Sequence, residues 1–232
     1  MRAFAINKIP VFFEQIIPGL WVTLEYVVAA FLLGLLFGGV LAAAKVGNHR
    51  FLKKLAYGYT TIMRCTPSIV LLFLVYYGLP RLVTELTGIA PDTMHRMKYI
   101  VITLTLFAAS SLSEVFRSAY ESLEKTQAEA ADSIGMTKLQ GFWYILMPQM
   151  LYRSLPNLCN TVLMLLKEGS LAYTIGVLDL LGKGMYVIGQ NQGSFAMEVY
   201  VLLAVIYWPI SIVITWFAGF LEKSFHYNKV QI

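Results

Sequence analysis

Several polar residues of this sequence stand inside or beside long apolar runs, where charge is costly. Lys167-Glu168-Gly169-Ser170 splits one run, and Asp179 follows the second half of it. Glu25 stands two residues after Thr23 at the edge of another run, and Arg64 precedes Thr66-Pro67 in a third. A carboxylate with a hydroxyl two residues on, as in Glu168 and Ser170, can pair with an ammonium group and add a hydrogen bond. That chemistry suits a small polar solute leaving water. Each position also has a plainer role open to it. Lys167 and Glu168 can neutralise each other or cap a helix end, and Glu25 can mark an interface. Arg64 can reach carbonyls freed by Pro67 or extend towards headgroups.

Catalytic and metal chemistry find little support. The histidines His49, His95 and His226 fall in separate segments, and no nucleophile is placed beside a base. The glycines from Gly176 to Gly184 look faintly like a phosphate-binding loop. Their spacing is one residue too long, however, and Gly184 stands where Ser or Thr is needed. Cys65 and Cys159 lie far apart in apolar segments and read as buried, inert thiols. The chain is expected to bind no nucleotide, cofactor or metal of its own.

The elements that must position these residues follow from composition. Of 232 residues, 58% are hydrophobic and 13% charged, about half the charged share of a globular protein. Mean hydropathy is +0.65, more apolar surface than one soluble core of this size can hide. Disulfide scaffolds, disordered chains and nucleic-acid binders are excluded on the same grounds. Uncharged or nearly uncharged runs occupy 26–44, 55–80, 99–113, 154–177 and 199–220. Such runs can cross a hydrocarbon core of about 30 Å as helices, which satisfy their own backbone. They predict an all-α, polytopic membrane protein of one domain over 1–232. Its five spans fall at about 20–45, 55–80, 98–117, 150–178 and 196–221. Gly34 and Gly38 supply a small-residue spacing for close helix packing. The residues before the first span, with Ile9, Phe12, Phe13 and Ile17, suit a short amphipathic helix on the membrane surface. A cleaved signal peptide is not expected there.

Five spans put the termini on opposite sides. With the N-terminus outside, inner segments carry 10 Lys or Arg and outer segments 7, which favours that orientation by the positive-inside rule.

The longest polar stretch, about 118–149, holds the most specific pattern. It contains Glu129-Ala130-Ala131, three residues, Gly135, nine residues, then Ile145-Leu146-Met147-Pro148. Ala128, Ala131 and Gly135 share one small helical face, and Gly135 is a natural helix stop. The pattern resembles the cytoplasmic loop of ABC-importer permeases, with Met147 in place of a usual leucine. Further stretches resemble the polar amino-acid branch of that family. They are Arg64-Cys65-Thr66-Pro67 before 72–80, Glu114-Val115-Phe116-Arg117, Gln127-Ala128-Glu129, and Lys167-Glu168-Gly169-Ser170-Leu171 before 175–181. Cys65, Thr126 and Gly169 depart from the residues usual there.

This resemblance implies the type I ABC importer permease fold in a bacterial cytoplasmic (inner) membrane. It implies a second permease subunit, identical or not, and ATP-binding cassette ATPase subunits that hold ATP and Mg. It also implies an extracytoplasmic substrate-binding protein that delivers an amino acid. Glu129, Ala130, Ala131 and Gly135 would meet the ATPase, and Pro148 would end the loop. Glu168, Ser170, Asp179 and Glu25 are the candidates for the substrate pathway. A permease for another small solute and an autonomous secondary transporter are the alternatives. The latter leaves the loop unexplained and lacks an internal repeat.

Overall fold

The structure is a computed structural model that describes residues 4–89 and 95–227. The side chains of Lys125, Ala128 and 222–227 also lie outside the description. Two features read from the sequence, the histidine at 226 and Ala128 in the small helical face, therefore have no side-chain account.

Among the described residues every regular element is helical. A short helix α1 (Ile9–Ile16) leads into α2 (Gly19–Val46), whose uncharged length is enough to cross a bilayer. Its glycines do what their spacing predicts. A Cβ at Gly34 would sit 2.4 Å from the Ala108 Cβ, and one at Gly38 would sit 2.8 Å from the Leu112 Cβ. Helix α6 (Met97–Glu121) therefore packs against α2 almost backbone to backbone, by the close contact that drives helix association in lipid.

Between them the chain breaks at Pro67. Helix α3 (Arg50–Cys65) ends there, and α4 (Ser68–Phe73), a π-helical turn (Leu74–Gly78) and α5 (Leu79–Thr87) follow. The stretch apolar enough to cross a membrane is Ser68–Thr87, shifted from the 55–80 read off the uncharged run. Proline removes a helix hydrogen bond and clashes with the preceding turn, so the run becomes two helices instead of one.

The next helices are α7 (Lys125–Ser133), α8 (Lys138–Gly141) and α9 (Met147–Gly169), with a π-helical turn (Phe142–Leu146) before α9. Helix α9 runs unbroken through Lys167 and Glu168, then tightens to a 3-10 turn (Ser170–Ile175). The true interruption follows, before α10 (Leu180–Gln190), with a bend of 43°. The charged pair therefore does not break the helix. Glycine at Gly176, with φ +80°, does. Counting that bent pair as one span gives five, with α11 (Ala196–Tyr227) the last.

Helix α1 spends its apolar face on protein. Phe12 and Ile16 are buried against Leu180, Val187 and Phe195, with the Phe12 and Phe195 rings edge to face at 5.3 Å. The buried Glu198 carboxylate accepts the Ala5 N–H at 2.8 Å and ties this segment to α11.

Candidate functional site

The α7–α8 loop is built from its backbone outward. Helix α7 ends in a glycine-capped motif: Gly135, at φ +81°, donates its N–H to Asp132, and Met136 donates to Ala131. Two residues on, Thr137 caps α8 reciprocally. Its Oγ1 accepts the Gln140 N–H, and its own N–H is held by Gln140 Oε1 at 2.9 Å. Pro148 then sits in the first turn of α9, where its missing N–H costs nothing. Tight caps on both sides of Gly135 fix the angle between two short helices.

Side chains tether this unit to the spans. Arg153 on α9 hydrogen-bonds the carbonyl of Ser122 and, at 2.9 Å, its hydroxyl just past α6. Gln149 on α9 donates to Gln127 on α7 at 2.8 Å. These contacts join α7 to α9, and α9 to the end of α6.

Glu129, Ala130 and Gly135 are exposed, together with Asp132, Ile134 and Leu139. Ala131 differs from the expectation. It is 3% exposed and faces inward, where a Cβ at Gly141 would lie 3.2 Å from it. Its small size lets α7 lie on α8, so Ala131 supports the exposed surface of the loop without being part of it.

A buried ion network at the same end of the molecule escapes sequence reasoning. Lys45, 1% exposed near the end of α2, donates to Glu114 at 2.7 Å and to Ser113 at 2.8 Å. Glu114 also accepts two bonds from Arg117, which reaches Glu121 as well. Glu114, Arg117 and Glu121 pair at helical spacings of three and four residues. Nothing local marks Lys45, 69 positions away, and charge counting places it among interfacial cations.

At membrane depth the candidates separate. Glu168 is half-buried and has no hydrogen-bond or ion-pair partner among the described residues. Ser170 donates to the Lys167 carbonyl at 2.6 Å, and Glu25 is exposed on α2. Neither Lys167 nor Glu168 neutralises the other.

Asp179 is 0% exposed and fully engaged. Its Oδ1 caps α10 through the Gly182 N–H at 2.8 Å, and its Oδ2 accepts the Tyr26 hydroxyl at 2.9 Å. Thr23 accepts the neighbouring Leu180 N–H at 3.1 Å. A Cβ at Gly19 would come within 2.5 Å of the Asp179 carbonyl. These contacts fasten α10 to α2 and make Asp179 a structural clamp within this chain, rather than a group open to a cavity.

The thiols also depart from expectation: Cys65 is exposed and Cys159 half-buried. Both were read as buried because their runs are apolar, but in a membrane protein an apolar helix can face outward.

Comparison with known proteins agrees with the helical membrane fold. The family described as "Binding-protein-dependent transport system inner membrane component" matches residues 30–227. The L-cystine transport system permease protein TcyL of Bacillus subtilis (strain 168) is 36% identical over 231 residues, covering 100% of this chain and 95% of that protein. The probable amino-acid permease protein YxeN of the same organism is 34% identical over 212 residues, 91% and 92% of the two chains. Among solved structures, an amino acid ABC transporter superposes with a TM-score of 0.81 at 25% identity, over 97% of this chain and 100% of that one. The MetNI methionine ABC transporter superposes with a TM-score of 0.70 at 19% identity, over 91% and 96%, and shares the fold. With a matched family spanning most of the chain and a relative 36% identical over its whole length, this protein belongs to the binding-protein-dependent transport system inner membrane components, as a permease subunit and not an enzyme.

Proposed function

We propose that this chain is the permease of an ATP-driven importer of amino acids. The observation that carries the reading is the α7–Gly135–α8 unit, a rigid exposed surface tethered to two membrane helices. Such a unit suits a partner that pushes from outside the bilayer. The partner is a pair of ATPase subunits, which hold ATP and Mg and meet Glu129, Ala130 and Gly135. A second permease subunit completes the pathway, and an extracytoplasmic binding protein delivers the solute. The amino-acid class is supported by the names of the relatives, among them permeases for L-cystine and, in Corynebacterium glutamicum, glutamate.

The protein sits in the bacterial inner membrane with its N-terminus outside and the α7–α8 loop in the cytoplasm. A membrane-impermeant thiol reagent on intact cells will therefore label a cysteine placed at Ile89 but not one at Lys138. The reverse pattern would put the loop beyond reach of any ATPase.

Glu168 and Ser170 contribute to the substrate path. A half-buried carboxylate with no partner in its own chain is costly in a membrane unless it meets water or a ligand. A hydrogen bond to a charged group contributes about 1.5–3 kcal/mol. Glu168→Gln is therefore expected to lower uptake roughly tenfold or more, most for solutes with a cationic side chain. Attachment of the ATPase should be unchanged. Unaltered uptake kinetics would remove Glu168 from the path.

A further inference from the structure

Helix α3 opens with cations that nothing in the described chain neutralises. Arg50, Lys53 and Lys54 are exposed on its first turns and make no hydrogen bond or ion pair among the described residues. The sequence holds no Asp or Glu between Glu25 and Glu85. Glu114, at the same end of the molecule, is already taken by Lys45 and Arg117.

The position of this cluster follows from its neighbours. Helix α2 ends at Val46 and α3 begins at Arg50. Lys45 lies 5.3 Å from the centre of the Tyr57 ring and pairs with Glu114, towards the end of α6 that leads to the α7–α8 loop. The Arg64 charge, near the far end of α3, acts on Lys45 as well. Helix α3 thus stays near this end of the bundle, and the membrane-crossing stretch begins only at Ser68.

Beside the cations the same helix exposes a strip of hydrocarbon. Phe51, Leu52, Leu55 and Ile62 are each 47% exposed or more. At about 100° per residue they fall next to Arg50 and Lys54, while Ala56 and Thr60 are buried against the protein. A basic amphipathic helix of this kind suits a membrane surface, with its apolar strip among acyl chains and its cations at the phosphates.

That strip leads into a groove. Tyr59, one turn beyond Leu55, lines it with Leu33, Phe37 and Val40 of α2 and Ile102 and Thr105 of α6, around about 410 Å³ of space. Its walls are hydrocarbon apart from two hydroxyls, and that of Tyr59 is spent on the Leu106 carbonyl at 2.8 Å. From Val40 back to Leu33 the α2 wall rises about 10 Å along its axis, away from the cations and into the span. A narrow apolar slot beside unpaired cations suits one molecule that carries both an acyl chain and an anionic head.

We propose that the groove between α2, α3 and α6 binds an anionic phospholipid of the leaflet on the α7–α8 side. Arg50, Lys53 and Lys54 hold its phosphate on their long side chains, and an acyl chain fills the groove. This goes beyond the import reading and does not depend on which solute is carried. A zwitterionic headgroup brings its own cation and gains less from three unpaired ones. Each Lys or Arg at an anionic surface contributes about fivefold in affinity.

The test places the assembled complex in phosphatidylcholine nanodiscs. These contain a trace of phosphatidylglycerol or of phosphatidylcholine, each with a photoactivatable acyl chain, and the cross-linked peptides are mapped by mass spectrometry. Phosphatidylglycerol is expected to label residues 33–41 and the Tyr59 peptide about tenfold or more over phosphatidylcholine. Arg50→Gln, Lys53→Gln and Lys54→Gln together should bring the two lipids level. The complex should still assemble, because all three side chains are exposed. Val40→Trp, which fills the groove from its exposed rim, should suppress labelling by both lipids. Glycerol phosphate in millimolar excess should not compete.

Equal labelling by the two lipids in the unaltered protein would mean ordinary boundary lipid and overturns the proposal. So does a preference for phosphatidylglycerol that survives the triple substitution. Competition by glycerol phosphate would make the cluster a site for a soluble anion and overturns it too. No labelling of the groove by either lipid would mean that a second permease subunit or the ATPase covers it, and equally overturns it.

Discussion

Gly135→Val is expected to insert in the membrane and pair normally, yet to lose ATP-driven uptake by about tenfold or more. The cost arises in the backbone. Gly135 holds φ +81°, and both hydrogen bonds that close α7 depend on it. A left-handed conformation costs an ordinary L-residue about 1–2 kcal/mol, and a β-branched one more. Valine would therefore reopen the turn and swing α7 off its angle to α8. The space around Gly135 is open, since nothing lies within 4 Å of a Cβ built there. The fold of the chain itself should survive, and the damage falls on docking. Asparagine, which accepts this conformation more readily, should retain much more transport. Uptake and ATPase co-purification measured on the Val and Asn variants check this. Normal coupling in the valine variant would mean that the turn is not the contact.

The second large effect concerns the buried ion network. Glu114→Ala removes the carboxylate that Lys45 and Arg117 share, leaving a cation with 0% side-chain exposure unpaired. Breaking a buried pair from one side costs about 3–5 kcal/mol. With the Glu114 side chain 24% exposed, the lower end applies. Lys45→Met removes the buried charge itself while Arg117 still holds Glu114, and should change stability by about 1 kcal/mol or less. Thermal unfolding of the purified chain in detergent distinguishes the two. No loss of stability in Glu114→Ala would show that the network does not hold α2 to α6.

Much of this was legible in the sequence because lipid imposes simple demands. A long uncharged run must be a helix, which located α2, α6 and α11. Gly34 and Gly38 predicted a close helix contact, though not that α6 makes it, and Gly135 predicted the end of α7, because only backbone geometry was at stake. What escaped depended on partners distant in sequence. Lys45 reads as an interfacial cation until Glu114 is brought beside it. Asp179 reads as a free carboxylate until Tyr26 and Gly182 consume its oxygens. Ala131 shares a motif with its exposed neighbour Ala130, yet helical rotation turns it inward onto Gly141. The charged pair at Lys167-Glu168 suggested a break, but a half-exposed carboxylate is compatible with a continuing helix. The interruption came instead at Gly176, where the backbone needs a positive φ.

The central claim is that this chain carries amino acids inward at the expense of ATP hydrolysed by a partner. Proteoliposomes containing the permease complex and its ATPase test it most directly, with the binding protein and radiolabelled amino acids on one side and ATP on the other. Accumulation of an amino acid against its gradient, dependent on ATP and on the binding protein and abolished by Gly135→Val, is the predicted result. Accumulation driven by an ion gradient without ATP, or ATP-driven accumulation of a different solute class alone, would contradict it.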